Sequence, residues 1–82
     1  MKYAVVKVVN GNFAIVTEGW TDVNKARVSY YGTCQALYND IANVQTMAIM
    51  IIDSLGNILE RDFYDASLYL SAQPIEQPAN EE

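Results

Sequence analysis

The chain of 82 residues contains no histidine. That removes the usual general base near neutral pH, the Ser-His and Cys-His couples, and most zinc sites. Cysteine occurs once, at Cys34, so no intramolecular disulfide framework is available, and the composition suits a reducing cytoplasm. Basic side chains number five against ten acidic ones, and no basic stripe exists to attract a phosphate backbone. General nucleic-acid binding is therefore not expected. Long hydrophobic runs are missing as well. The longest, residues 47–52, is far too short to span a bilayer, and no apolar segment of the kind a secretion signal needs follows Lys2. The expectation is a soluble, unexported protein of the cytoplasm. The four glycines are isolated from one another, and no GxGxxG or P-loop pattern occurs.

What is present is apolar: 51% of the residues are hydrophobic, high for a domain of this size. A small domain has much surface for its volume, so part of that apolar content must lie near the surface, where self-association is the usual way to cover it. The net charge of −5 is unevenly placed. Residues 1–70 carry all five basic and seven of the acidic side chains, while Glu76, Glu81 and Glu82 lie beyond. With Pro74 and Pro78 among glutamines, residues 71–82 read as a disordered acidic tail, which leaves residues 1–70 as a single domain.

Two turn signatures organise that domain. Asn10-Gly11 separates the apolar runs 3–9 and 13–16, and Asp53-Ser54-Leu55-Gly56-Asn57 separates 47–52 from 58–63. Asn-Gly between apolar runs is a strong hairpin signal, because both residues tolerate the positive φ of a type I′ turn. The second turn reads as a type I turn closed by a left-handed Gly56. Between the hairpins, Thr21 or Asp22 offers an N-cap, and Val23, Ala26, Tyr30, Thr33, Cys34, Leu37 and Tyr38 recur at helical spacing. Residues 44–52 suit a central strand buried on both faces. Glu60, Arg61 and Asp62 belong on an edge strand. These elements predict an α+β fold, ββαββ, with a four-stranded antiparallel sheet in the order 2-1-3-4 and one helix on one face.

The predicted first-hairpin register pairs Val8 with Phe13, Val6 with Ile15 and Ala4 with Thr17 as one apolar face. We expect the helix on that side. The other face holds Tyr3, Val5, Lys7, Val9, Ala14, Val16 and Glu18, still rich in valine. A single helix about 10 Å across cannot wrap to both sides of the sheet. The second face therefore predicts a homo-oligomer, a dimer or higher, with Tyr3, Val5, Lys7 and Val16 at its interface.

No catalytic residues, cofactor or metal ligands are assigned. Cys34 falls in the helical stripe and reads as a small core residue. Glu60, Asp62 and Asp65 lack the glycine and terminal glutamate of a calcium loop and read as a solvated edge. The most suggestive group is Trp20, Lys25, Arg27, Tyr30 and Tyr31, at the junction of hairpin and helix. Helix N–H groups, two cations and stacking rings together would suit a nucleotide-like ligand. The same residues admit a plainer reading, in which Trp20 staples helix to sheet and Lys25 pairs with Asp22 at i, i+3. Six tyrosines suit either a partner surface or ordinary boundary positions.

The segment KYAVVKVVNGNFAIVTEGWTD, the helix residues Ala26, Tyr30, Cys34, Ala36, Leu37 and Asn39, and the strand AIMIID resemble small uncharacterised proteins of gut-associated bacteria and their phages. The resemblance covers residues 2–60 and carries no mechanism. It implies a mobile-element accessory protein, in the host-cell cytoplasm if phage-encoded, acting by binding: occluding a host defence protein or sequestering a nucleotide signal. The leading expectation is therefore a non-enzymatic accessory protein that holds a nucleotide-like small molecule at a homo-oligomer interface. The alternatives are a protein-binding inhibitor of a host protein and a structural component of a larger assembly.

Overall fold

The structure, a computed structural model, describes residues 1–68. The elements run β1 (Tyr3–Val9), β2 (Asn12–Trp20), α1 (Val23–Asn39), a 3-10 turn (Ile41–Asn43), β3 (Thr46–Asp53) and β4 (Ile58–Asp65). The strands form one antiparallel sheet in the order β2-β1-β3-β4, with α1 across one face. This is the expected ββαββ arrangement. Tyr69, Leu70 and the acidic tail lie outside the described residues.

Turn chemistry closes both hairpins. Asn10 and Gly11 adopt φ of 51° and 84°, as a type I′ turn requires. Asn10 also acts at long range: its Oδ1 accepts from the backbone N–H of Gln45 (2.7 Å) and Thr46 (3.2 Å), and its Nδ2 donates to the Asn43 carbonyl (3.3 Å). The first turn thereby anchors the entry to β3. In the second turn, the Asp53 carboxylate accepts from the N–H groups of Leu55 and Asn57, and the Asn57 N–H bond leads in holding its pKa below the usual carboxylate range. Gly56 closes this turn at φ 85°.

Asp22 is the N-cap of α1, accepting from the Asn24 N–H at 2.9 Å. Ala26, Tyr30 and Cys34 form its buried stripe over Val5, Met47, Ile49 and Ile51 of the sheet, with Val44 alongside. A hydrogen-bond chain ties the helix to β2: Trp20 Nε1 donates to Thr17 Oγ1, which shares a proton with Ser29 Oγ, both at 2.8 Å. Thr17 carries the link to the helix, and Trp20 bonds it from within β2 while packing against the core.

The face assignment of the first hairpin is corrected. Val5 is fully buried beneath α1, and Tyr3 and Val16 pack against the same core. Lys7 shares their side through its pairing with Ile49. Tyr3, Val5, Lys7 and Val16 thus line the helix-covered face, and Val5 is closed off beneath the helix rather than exposed at a subunit seam. The reason is that both faces of the hairpin are apolar, and period-two alternation says which residues share a face without saying which face the helix takes. The register also departs from expectation. Val8 pairs with Phe13 and Val6 with Ile15, but Thr17 pairs with Val5 rather than Ala4. Val16 is an extra residue there, and a second irregularity around Gly19 (φ 80°) leads to the Tyr3–Trp20 pair. The two bulges direct Val16 and Thr17 together to the helix side.

Strand β3 alternates where unbroken burial was expected. Met47, Ile49 and Ile51 are buried under the helix, while Ala48, Met50 and Ile52 are half-buried on the other side. A long apolar run here reflects two apolar faces, of which α1 covers one.

Candidate functional site

The face opposite α1 is an ordered grid of apolar side chains. Strand pairing sets the rows: Phe13–Val8–Ala48–Phe63, then Ile15–Val6–Met50–Arg61, then Ala4–Ile52–Ile58. Arg61 is the one charged side chain in these rows, and its guanidinium lies 5.4 Å from the centre of the Phe63 ring. Phe13 and Phe63 stand at the two ends of the first row, 65% and 60% exposed, and Ile15 and Ile58 are each 53% exposed. Val6 is only 3% exposed, sealed by the neighbours that share its face.

A fully exposed aromatic or large aliphatic side chain offers roughly 150–200 Å², so the four exposed corners and flanks supply on the order of 400 Å². The half-buried residues between them bring the patch to roughly 500–600 Å², the upper end of what a monomeric protein shows. The sheet edges, by contrast, are blunted. β2 carries two bulges, β4 a third where Leu59 is extra, and β4 bears Glu60, Arg61 and Asp62. Association by strand addition is disfavoured at both edges.

The group expected to hold a ligand is divided by the structure. Tyr30 is buried in the core beside Cys34, and burial pushes the phenol well above its ordinary pKa, with the Cys34 thiol raised mainly by the same desolvation. Arg27 and Tyr31 turn toward β4. Arg27 Nε donates to Glu60 Oε2 at 2.6 Å and Nη1 to Asn24 Oδ1 at 3.0 Å, while the Tyr31 hydroxyl approaches Glu60 Oε1 at 3.5 Å. Trp20 lies on the other flank of the helix, against β2. Lys25 is exposed, and among the described residues its ammonium makes no ion pair, with Asp22 or otherwise. Trp20, Lys25 and Arg27 therefore do not converge on one pocket, and the positive charge of Arg27 is already answered by Glu60.

The β4 carboxylates are engaged separately as well. Asp62 accepts from the Tyr38 hydroxyl at 3.0 Å, and Asp65 accepts from the N–H and hydroxyl of Ser67. Among the described residues no group of three or more cysteine and carboxylate side chains is placed to hold a metal ion. No helix of the described residues is long and apolar enough to cross a membrane. Two shallow hollows of about 310 and 420 Å³ lie at the ends of the sheet, one against Lys2, Glu18 and Ser54, the other against Gln45, Asp65 and Ser67. Both are wide open to solvent, without the enclosed apolar walls of a small-molecule site.

Sequence reasoning paired Phe13 with Val8 and Ile15 with Val6, yet assigned them to the core, and it missed Ile58 and Phe63 as members of the same face. The alternation of Phe63 and Arg61 around Asp62 is the local signal for this face of β4, masked by the charges of Glu60, Arg61 and Asp62. No protein-family model, no curated protein and no solved structure matches this chain.

Proposed function

We propose that this is a non-enzymatic binding protein that recognises protein through its uncovered sheet face. The observation carrying the proposal is the apolar grid with exposed Phe13, Ile15, Ile58 and Phe63 around a sealed Val6. Specific protein interfaces have a desolvated apolar centre, aromatic anchors and arginine at the margin, and this face holds all three. A nucleotide-like ligand, the leading expectation from the sequence, draws less support. Its stacking and cationic residues are split between core, helix flank and an existing ion pair.

The test is a double substitution, Phe13→Asp with Phe63→Asp, both at exposed positions where the fold tolerates polarity. Self-association by sedimentation and binding of the apolar dye anilinonaphthalene sulfonate are measured in parent and variant. The parent associates, or binds the dye if monomeric, and the variant loses whichever property the parent shows while its circular dichroism is unchanged. Parent and variant alike in both measurements would refute a recognition role for this face.

A further inference from the structure

We infer that the occupant of the uncovered face is a second copy of this chain, packed sheet to sheet about a two-fold axis running parallel to the strands. The inference rests on the binding role proposed for that face and adds the partner's identity and the arrangement.

The area supports a second copy. Two facing patches of roughly 500–600 Å² remove about 1,000–1,200 Å² in total, which reaches the minimum for a specific interface. Self-complementarity is what a two-fold contact demands, since each patch must serve as its own partner. Packed sheets lie about 10 Å apart with strands within about 30° of alignment, so the axis lies between them, either along the strands or across them.

Charge placement chooses between those two. Arg61 lies in the middle row of the grid, at its β4 end. An axis across the strands turns β4 onto the partner's β4 and sets Arg61 directly against the partner's Arg61, two like charges in a desolvated contact. It also leaves Phe13 facing the bulged end of β2, where the third row has no β2 member. An axis along the strands preserves the rows and exchanges the edges. Phe13 then faces the partner's Phe63, Val6 faces the partner's Met50, and the two arginines stand at opposite edges. The Arg61 already over Phe63 lies within reach of the partner's Phe13 as well, so the aromatic corner is closed by two rings and a cation.

The arrangement is tested by cross-linking. Facing Cβ atoms on sheets about 10 Å apart lie beyond disulfide reach, so a short bismaleimide is used. Phe13→Cys and Phe63→Cys are prepared separately in the full chain, one carrying a size tag, and treated alone and after mixing and exchange. Cys34 is buried, and the parent sequence treated with the same reagent serves as its control. The expected result is a covalent heterodimer in the mixture and no covalent dimer from either variant alone. Dimers from Phe13→Cys alone or Phe63→Cys alone would overturn the axis along the strands. So would a dimeric parent, by sedimentation, whose mixture gives no cross-link. A parent that stays monomeric yet binds the apolar dye would overturn the second copy as occupant and leave the binding face standing. A monomer that binds no dye would refute both.

Discussion

Val5 and Val6 are adjacent in sequence, both almost fully buried, and on opposite faces of the sheet, so one substitution at each separates the two roles of β1. Val5→Glu places a carboxyl among Ala26, Tyr30, Ile49 and Ile51 with no cation in that cluster. The lost burial of valine costs about 1.5–3 kcal/mol. Keeping the new group neutral at pH 7 requires its pKa to rise by about 3 units, a further 4 kcal/mol or so. The sum, about 5.5–7 kcal/mol, rivals the whole stability of a domain of about 70 residues, roughly 3–10 kcal/mol. Val5→Glu should therefore be unfolded at 25 °C. Val6→Glu lies in the middle row of the uncovered face, where a longer side chain can reach past Ile15 and Met50 to water in the monomer. We expect a loss of about 1–3 kcal/mol for the valine burial alone, a folded chain, and no self-association. Circular dichroism melts with sedimentation velocity read both outcomes. A folded Val5→Glu variant beside an unfolded Val6→Glu variant would reverse the face assignment and refute the account of the core.

Further expectations follow from single sites. Gly32 lies on the exposed side of α1 with open space around the position a Cβ would take, so Gly32→Ala should stabilise by about 0.5–1 kcal/mol; an unchanged or lower melting temperature would count against a regular helix there. Asn10→Ala loses three side-chain bonds and strains a residue at φ 51°, at a cost of about 2–3 kcal/mol, whereas Asn10→Gly should recover only the conformational part; urea melts of the pair separate the two contributions. Tyr30 is neutral in the folded chain above its ordinary pKa, so its contribution to stability is complete below pH 10 and declines as pH rises from there. Its ionisation, followed by ultraviolet absorbance, should coincide with alkaline unfolding; a Tyr30→Phe variant with the same alkaline transition would contradict that. Asp53, held below the usual carboxylate range by its turn, stabilises above the unfolded pKa and loses that contribution as pH falls through the folded one, so Asp53→Asn should flatten the acid limb of the stability profile.

The topology was legible because its signals are local. Asn10-Gly11 and the Asp53–Asn57 turn set two hairpins, Asp22 capped the helix, and apolar strands 1 and 3 had to lie at the centre. Side-chain pairing across Val8–Phe13 and Val6–Ile15 was equally readable, since a two-residue turn dictates it. What failed was the choice of face. Val5 and Val6 look alike in composition, and only the long-range packing of Ala26, Tyr30 and Cys34 decides which valine is covered. The bulges at Val16 and Gly19 leave no local mark beyond one glycine, so the shift from Ala4 to Val5 opposite Thr17 was hidden. Spacing along the chain likewise put Trp20, Lys25, Arg27 and Tyr31 near one another in sequence, but Trp20 bonds Thr17 on β2 while Arg27 and Tyr31 both turn to Glu60, which lies 33 residues from Arg27.

Coverage of the apolar face in solution is the central question. Methyl relaxation of the full chain in the presence of a soluble gadolinium chelate measures this directly. The face proposed to be covered predicts that the methyls of Ile15 and Ile58 are protected nearly as well as those of Ile49 and Ile51 in the core, while Val28, exposed on the helix, relaxes strongly. Ile15 and Ile58 relaxing as fast as Val28 would contradict it.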